Sequence, residues 1–201
     1  MFMVNTKREE WGAAVERALH NGNVPVAVAL TDIDGFARFN DARGHREGDR
    51  VLVGWEKTLR SNAPQEAFVS RLGGDEFGVI LPGSSPESAL ILLEEIRSHF
   101  VKHTVEDPPI DVSVGIAAAP PHGSTAEELI RAAGEALMRA KREGRGRVAI
   151  YVEEKMTLKS NYYSRANLDR LSKLSGATSR TEASLLREAL DDLFEKYRND
   201  L

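Results

Sequence analysis

The sequence predicts an α/β protein, a mixed β-sheet flanked by helices, followed by a small helical module. Three observations carry this. Residues 24–31 (Val-Pro-Val-Ala-Val-Ala-Leu-Thr) form a near-continuous apolar run, as expected of a central strand covered on both faces. After a first helix, segments of strand and helical period follow in the order βααββαβαβ, and helices lying between strands must cover the faces of their sheet. Beyond residue 152 the pattern changes, giving an expected division into a domain at 1–152 and a module at 153–201.

Each element has its own signal. Residues 6–21 read as a helix with Trp11, Ala14, Val15 and Ala18 on one face, stopped by Asn21-Gly22-Asn23. The apolar run at 24–31 ends in Asp32-Ile33-Asp34-Gly35. Carboxylates just past a buried strand are a recurring place for metal and phosphate chemistry, while one of the two, Asp32 or Asp34, could instead simply cap the next helix. A short helix at 36–41 and a longer one at 47–60, with Val51, Leu52, Trp55 and Leu59 at helical spacing, lead into a hairpin. Residues 67–70 and 77–81 are its strands. A helix starting at Ser84/Ser85-Pro86 runs through Leu90, Leu92, Leu93 and Ile96 to about residue 103. Residues 110–117 alternate as a strand, residues 125–142 are helical, and residues 148–152 form a last strand.

Composition narrows the function. The chain has 201 residues, 41% hydrophobic and 29% charged, as in a soluble globular protein. With no cysteine, disulfides, thiolate zinc sites and thiol nucleophiles are excluded together. No apolar run approaches a membrane span and the start lacks a signal pattern, so the expected location is cytoplasmic, with no membrane partner. The net charge of −4 is unevenly spread: residues 155–180 carry six basic side chains against one acidic. A basic strip behind an acidic body suggests that the strip meets an anion.

The stretch richest in chemistry is Arg71-Leu72-Gly73-Gly74-Asp75-Glu76-Phe77. Glycines supply the positive φ angles of a tight hairpin turn, and bare backbone lets a large ligand approach. The adjacent carboxylates Asp75 and Glu76 can hold a hard cation such as Mg²⁺, although a plain acidic hairpin has the same composition.

With Asp32-Ile33-Asp34, Phe36, Asn40-Asp41, Gly44-His45, Gly48-Asp49, Arg71 to Phe77 and Ala140 to Arg145 in this order, residues 5–152 resemble the GGDEF family of diguanylate cyclases. The resemblance implies a palm-like domain that condenses two GTP into cyclic di-GMP with Mg²⁺ (or Mn²⁺) as cofactor. It implies metal ligation by Asp32, the Ile33 carbonyl and Asp75, with Glu76 a further carboxylate of the cluster. Asp75 or Glu76 would help deprotonate the attacking 3′-hydroxyl. Asn40 and Asp49 would read the guanine edge, with His45 nearby, and Lys141 and Arg145 would grip phosphates. Gly73 and Gly74 would let backbone lie against the nucleotide.

Three departures from the family pattern stand out. Ala37 occupies the position of a usual lysine, the segment before Val24 lacks the usual Asp-x-Leu-Thr-Gly-Leu opening, and Pro64-Gln65-Glu66-Ala67 replaces the Arg-x-x-Asp of the product-inhibition site.

In the C-terminal module, Met156 to Lys159 alternates as a strand, residues 165–174 and 180–198 read as helices, and Ser175 to Ser179 reads as a turn. This order resembles a ribbon-helix-helix domain, which implies a homodimer whose paired strands enter the DNA major groove, with Lys155, Thr157 and Lys159 facing bases. The same features fit a dimerisation handle that touches no DNA. Two other functions fit the whole chain: a non-catalytic regulator that senses GTP or cyclic di-GMP, and a cyclase making a different cyclic dinucleotide.

Overall fold

The computed structural model describes residues 6–21, 25–104, 109–153, 162–178 and 180–197. The chain divides into two compact units, residues 1–154 and 155–201. The first contains α1 (Thr6–His20), β1 (Val26–Asp34), α2 (Phe36–Arg43), α3 (His45–Asn62), β2 (Phe68–Gly73), β3 (Glu76–Pro82), α4 (Pro86–His103), β4 (Asp111–Ala119), α5 (Ala126–Arg142) and β5 (Val148–Ile150). The second contains α6 (Arg165–Thr178) and α7 (Glu182–Lys196).

The five strands form one sheet in the order β2-β3-β1-β4-β5. β1 pairs antiparallel with both β3 and β4, and β5 pairs parallel with β4. Its central position explains why β1 is apolar almost throughout. Because side chains alternate across a strand, β1 feeds two cores. Ala27, Ala29 and Ile33 pack with Val51, Leu52, Trp55 and Leu59 of α3 and with Leu93, Ile96 and Phe100 of α4. Val26, Val28 and Leu30 pack on the opposite face with Trp11 and Val15 of α1 and Leu129, Ala132, Ala133 and Leu137 of α5.

Local chemistry sets the helix starts. Ser85 caps α4 by accepting from the Ser88 amide at 3.2 Å, with Pro86 in the first turn. Thr125 and Glu128 form a reciprocal capping box on α5. Thr31 is fully buried, and its hydroxyl accepts from Trp55 Nε1 at 2.9 Å, so α3 is tied to β1 by a polar bond inside the core. At β4 the sheet and α5 come into backbone contact. A Cβ on Gly115 would lie 2.1 Å from the Leu137 nitrogen and 2.2 Å from the Ala133 oxygen.

The element order of the first unit agrees with the sequence reading, and the boundaries differ where pairing decides them. β1 continues past Thr31 to Asp34 because β4 pairs along its whole length, Asp34 opposite Asp111. Asp32 and Asp34 therefore lie in the last turn of the pleat rather than beyond the strand. The hairpin strands reach Gly73 and Glu76, leaving Gly74 and Asp75 as the tip. In the second unit α6 runs through Gly176 to Thr178, where a turn was expected over 175–179. The expected strand carrying Lys155, Thr157 and Lys159 lies outside the described residues. Among the described residues no helix is long and apolar enough to cross a membrane.

Candidate active site

The carboxylates of interest gather at one end of the sheet. Asp32 is the register partner of Glu76 on β3 and of Ser113 on β4. With the even-numbered residues of β1, Asp32 and Asp34 face the side covered by α1 and α5. Ile33 faces the other core and is 1% exposed, so only its backbone remains to serve a ligand.

Asp32 Oδ1 is 2.8 Å from Lys141 Nζ, which the last turn of α5 delivers. Burial pushes the Asp32 carboxyl above its ordinary range, the Lys141 contact opposes that, and the charge of Asp75 adds to it. Asp32 and Asp75 thus feel one another across the β1–hairpin junction. Asp34 has a different setting. It accepts from Ser113 Oγ at 2.9 and 2.8 Å and from the Gly146 amide at 3.0 Å, with Arg145 Nε at 3.8 Å. Its lone pairs tie β1 to β4 and to the loop after α5.

That loop holds Arg145 at φ 64°, the one non-glycine residue with positive φ among those described, between Gly144 and Gly146. The left-handed conformation costs a side-chain-bearing residue about 1 kcal/mol or more. It is held by the Arg145 amide donating to the Ala140 oxygen at 3.0 Å and by the Gly146 amide on Asp34. At the hairpin tip Gly74 has φ 53°, and nothing lies within 4 Å of a Cβ built there. Arg71 fixes the tip by donating from Nε and Nη2 to the Gly74 oxygen at 2.9 and 2.6 Å. Glu76 forms an ion pair with Arg8 of α1.

The remaining sequence candidates lie on α2 and α3. Asn40 Oδ1 is buried without a hydrogen-bond partner, an acceptor that awaits a donor. It fits beside α3 because position 48 is glycine: a Cβ there would lie 1.8 Å from Asn40 Oδ1. His45 and Asp49 are exposed, in the first two turns of α3.

The structure therefore brings together Asp32, Asp75, Glu76, Lys141 and the Arg145 loop, and groups Asn40, His45 and Asp49 on the α2–α3 pair. Among the described residues no three His, Asp or Glu side chains converge to hold a metal by themselves. Asp32 and Asp75 with a backbone oxygen still form an all-oxygen donor set that fits a hard divalent ion whose shell is completed by phosphate oxygens. Sequence reasoning missed the Arg8–Glu76 pair and the tie at Asp34. The first joins residues 68 apart with no motif linking them, and the second depends on the β1–β4 register.

Comparison with known proteins gives the relationship. Residues 7–147 match the family described as diguanylate cyclase, GGDEF domain. The chain is 38% identical over 140 residues to the response regulator PleD of Caulobacter vibrioides, covering 67% of this chain and 31% of that protein. It is 39% identical over 123 residues to the diguanylate cyclase DgcM of Escherichia coli, covering 61% and 30%. It thus spans about a third of the length of these relatives. Among solved structures it resembles the active GGEEF domain of a diguanylate cyclase from Vibrio cholerae, with a TM-score of 0.68, 30% identity and coverage of 76% of this chain and 100% of that one. It also resembles the GGDEF domain of DgcB from Caulobacter crescentus, solved with c-di-GMP, with a TM-score of 0.66, 30% identity and coverage of 72% and 90%.

Proposed function

The chain belongs to the GGDEF family of diguanylate cyclases, and from that membership and the geometry at the strand ends we propose that it condenses two GTP into cyclic di-GMP. The observation that carries this reading is Asp32 on the central strand, opposite Glu76 in register, beside a glycine-built tip bearing Asp75, with Lys141 2.8 Å away. In each of two equivalent steps a 3′-hydroxyl oxygen attacks the α-phosphorus of the partner nucleotide and pyrophosphate leaves. Asp75 or Glu76 takes the hydroxyl proton. A Mg²⁺ or Mn²⁺ held by Asp32, the Ile33 carbonyl and Asp75 would neutralise triphosphate charge there.

The other residues bind and orient. Asn40 and Asp49 take the guanine edge: the unpartnered Asn40 oxygen accepts from a base N–H, and a carboxylate suits two donors that adenine does not present. His45 lies beside them on α3. Lys141 leaves Asp32 for phosphate, and Arg145 adds its fork. The Gly73–Gly74 backbone admits the nucleotide without steric conflict.

Cyclisation needs two loaded sites face to face, and the second unit provides a means. Leu168, Leu174, Leu190, Leu193 and Phe194 are exposed on its two helices, and Tyr197 just past the second. A module of this size leaves such faces to a second copy of the chain. Paired modules would raise the effective concentration of one cyclase domain beside its partner. The basic bias of residues 155–180 supports DNA as the module's ligand through Lys155, Thr157 and Lys159.

The test is incubation of the purified protein with Mg²⁺ and each of the four nucleoside triphosphates, with products read by mass spectrometry and Asp75→Ala as control. Cyclic di-GMP from GTP alone, abolished in the control, is the expected result. GTP bound but unreacted would make the protein a sensor instead, and another product would refute the base assignment. Retention on DNA that weakens with salt and is lost in a Lys155→Ala/Lys159→Ala variant is expected of the tail. Retention unaltered by that double substitution would leave it a dimerisation handle.

A further inference from the structure

Of the carboxylates read as the metal cluster, Asp32 and Glu76 already have a cation of the protein's own. α5 brings Lys141 to Asp32, and α1 brings Arg8 to Glu76. Lys141 is readable from the family motif and Arg8 is not, which makes the role of α1 the open question.

The position of α1 is determined at three points along its length. Trp11 is 2% exposed and its indole lies on Gly78 of β3, where a Cβ would come within 2.4 Å of the ring. Val15 is fully buried in the same core. The next residue, Glu16, accepts through Oε1 from the Ala126 amide at the start of α5, at 3.3 Å. Arg8 lies three residues before Trp11, on the same side of the helix. Glu76 lies two residues before Gly78, on the same face of the strand. The wedge of Trp11 on Gly78 therefore carries Arg8 to Glu76 as a matter of register, one helical turn against one strand repeat. The Arg8 side chain is 47% exposed and that of Glu76 22%, so the guanidinium caps the carboxylate from the solvent side.

We infer that Arg8 is a resident counterion of Glu76 that a divalent cation must displace, so that the first helix sets the cation affinity of the site. The inference rests on the reading of Glu76 as a carboxylate of the metal cluster. An arginine neutralises the carboxylate it contacts, here through Nη2 on Oε2, and it opposes a second cation at the same oxygens. A metal ion arriving with a nucleotide competes for Glu76 against a side chain tethered beside it. Release of Arg8 on loading frees a cation at the mouth of the site, where anionic phosphate is its natural partner. α1 is in this way a positioning element for the site as well as a cover for the sheet. Because the Arg8–Glu76 pair is partly exposed, its hold weakens as salt screens it.

The experiment is Mn²⁺ binding without nucleotide, followed by water-proton relaxation, on the full chain and on Arg8→Gln, Arg8→Lys, Glu76→Gln and the Arg8→Gln/Glu76→Gln double variant. Arg8→Gln is expected to bind Mn²⁺ more tightly, by a factor on the order of five, the scale of a partly exposed ion pair. Arg8→Lys should match the parent, Glu76→Gln should bind more weakly, and the double variant should match Glu76→Gln, since Arg8 acts only through Glu76. A loss of packing alone would not reproduce this set, and the emission of Trp11 and Trp55 checks that each variant is folded. Arg8→Gln binding Mn²⁺ no more tightly than the parent overturns the counterion role while leaving the metal reading of Glu76 intact. Parent affinity in Glu76→Gln overturns both.

Discussion

Gly115→Ala tests the link between packing and the site most directly. The added methyl meets only backbone: the Leu137 nitrogen at 2.1 Å, the Ala133 oxygen at 2.2 Å and the Leu137 Cα at 2.7 Å. No rotamer change relieves such contacts, so α5 must withdraw from β4 by about 1.3 Å to reach ordinary van der Waals distance, and overpacking of this kind costs about 3 kcal/mol. In a domain of about 150 residues that lowers Tm by roughly 6–12 °C. The consequence extends to function, because Lys141 follows Leu137 by one turn of the same helix and its bond to Asp32 is 2.8 Å long. A shift of that size takes that contact out of hydrogen-bonding range. The assays are thermal unfolding by circular dichroism and cyclic di-GMP formation at saturating GTP. Gly134→Ala is the control on the same helix: its nearest neighbour is Leu30 Cδ1 at 3.8 Å, and alanine in a helix interior should raise stability by about 0.5–1 kcal/mol. If Gly115→Ala melts within about 2 °C of the parent, the reasoning from backbone contact is wrong.

Gly48→Ala forms a useful contrast, since its methyl meets the far end of a flexible side chain, Asn40 Oδ1 at 1.8 Å. Stability should change little while KM for GTP rises tenfold or more, on the order of one lost base contact; an unchanged KM would dissociate Asn40 from base binding. Trp55→Phe removes the buried bond to Thr31 Oγ1 and should cost about 1–3 kcal/mol in a urea titration with fluorescence or circular dichroism readout. Added cyclic di-GMP should leave the initial rate free of non-competitive inhibition, because Pro64-Gln65-Glu66-Ala67 offers no Arg-x-x-Asp pair; strong non-competitive inhibition would contradict that.

Much of this was legible in the sequence for identifiable reasons. The run at 24–31 is apolar because both faces of β1 are covered, and its neighbours on α3 and α5 repeat with helical period for the same cores. The end of β1 was misjudged because aspartate disfavours strands; pairing with β4 and β3 overrides that preference. Gly176 was read as a turn, yet α6 continues through it, since one glycine costs a helix only about 1 kcal/mol. Asp32 and Asp75 were legible as candidates from the end of an apolar strand and from a glycine turn, whereas Asn40 and Lys141 were found through resemblance: nothing local to Lys141 announces Asp32, 109 positions earlier. Arg8 had no such guide. Its role follows from the seating of Trp11 on Gly78, a tertiary fit between a large side chain and a missing one.

The hairpin tip has a consequence of its own. Arg71 holds the Gly74 carbonyl through two bonds made within the hairpin, so the shape of the tip needs no ligand, lid or neighbouring element to define it. An incoming molecule finds a surface already ordered and spends none of its binding free energy on freezing that loop. The tip therefore acts as a fixed template, and differences in affinity between ligands should arise from what they place against it rather than from how readily it bends.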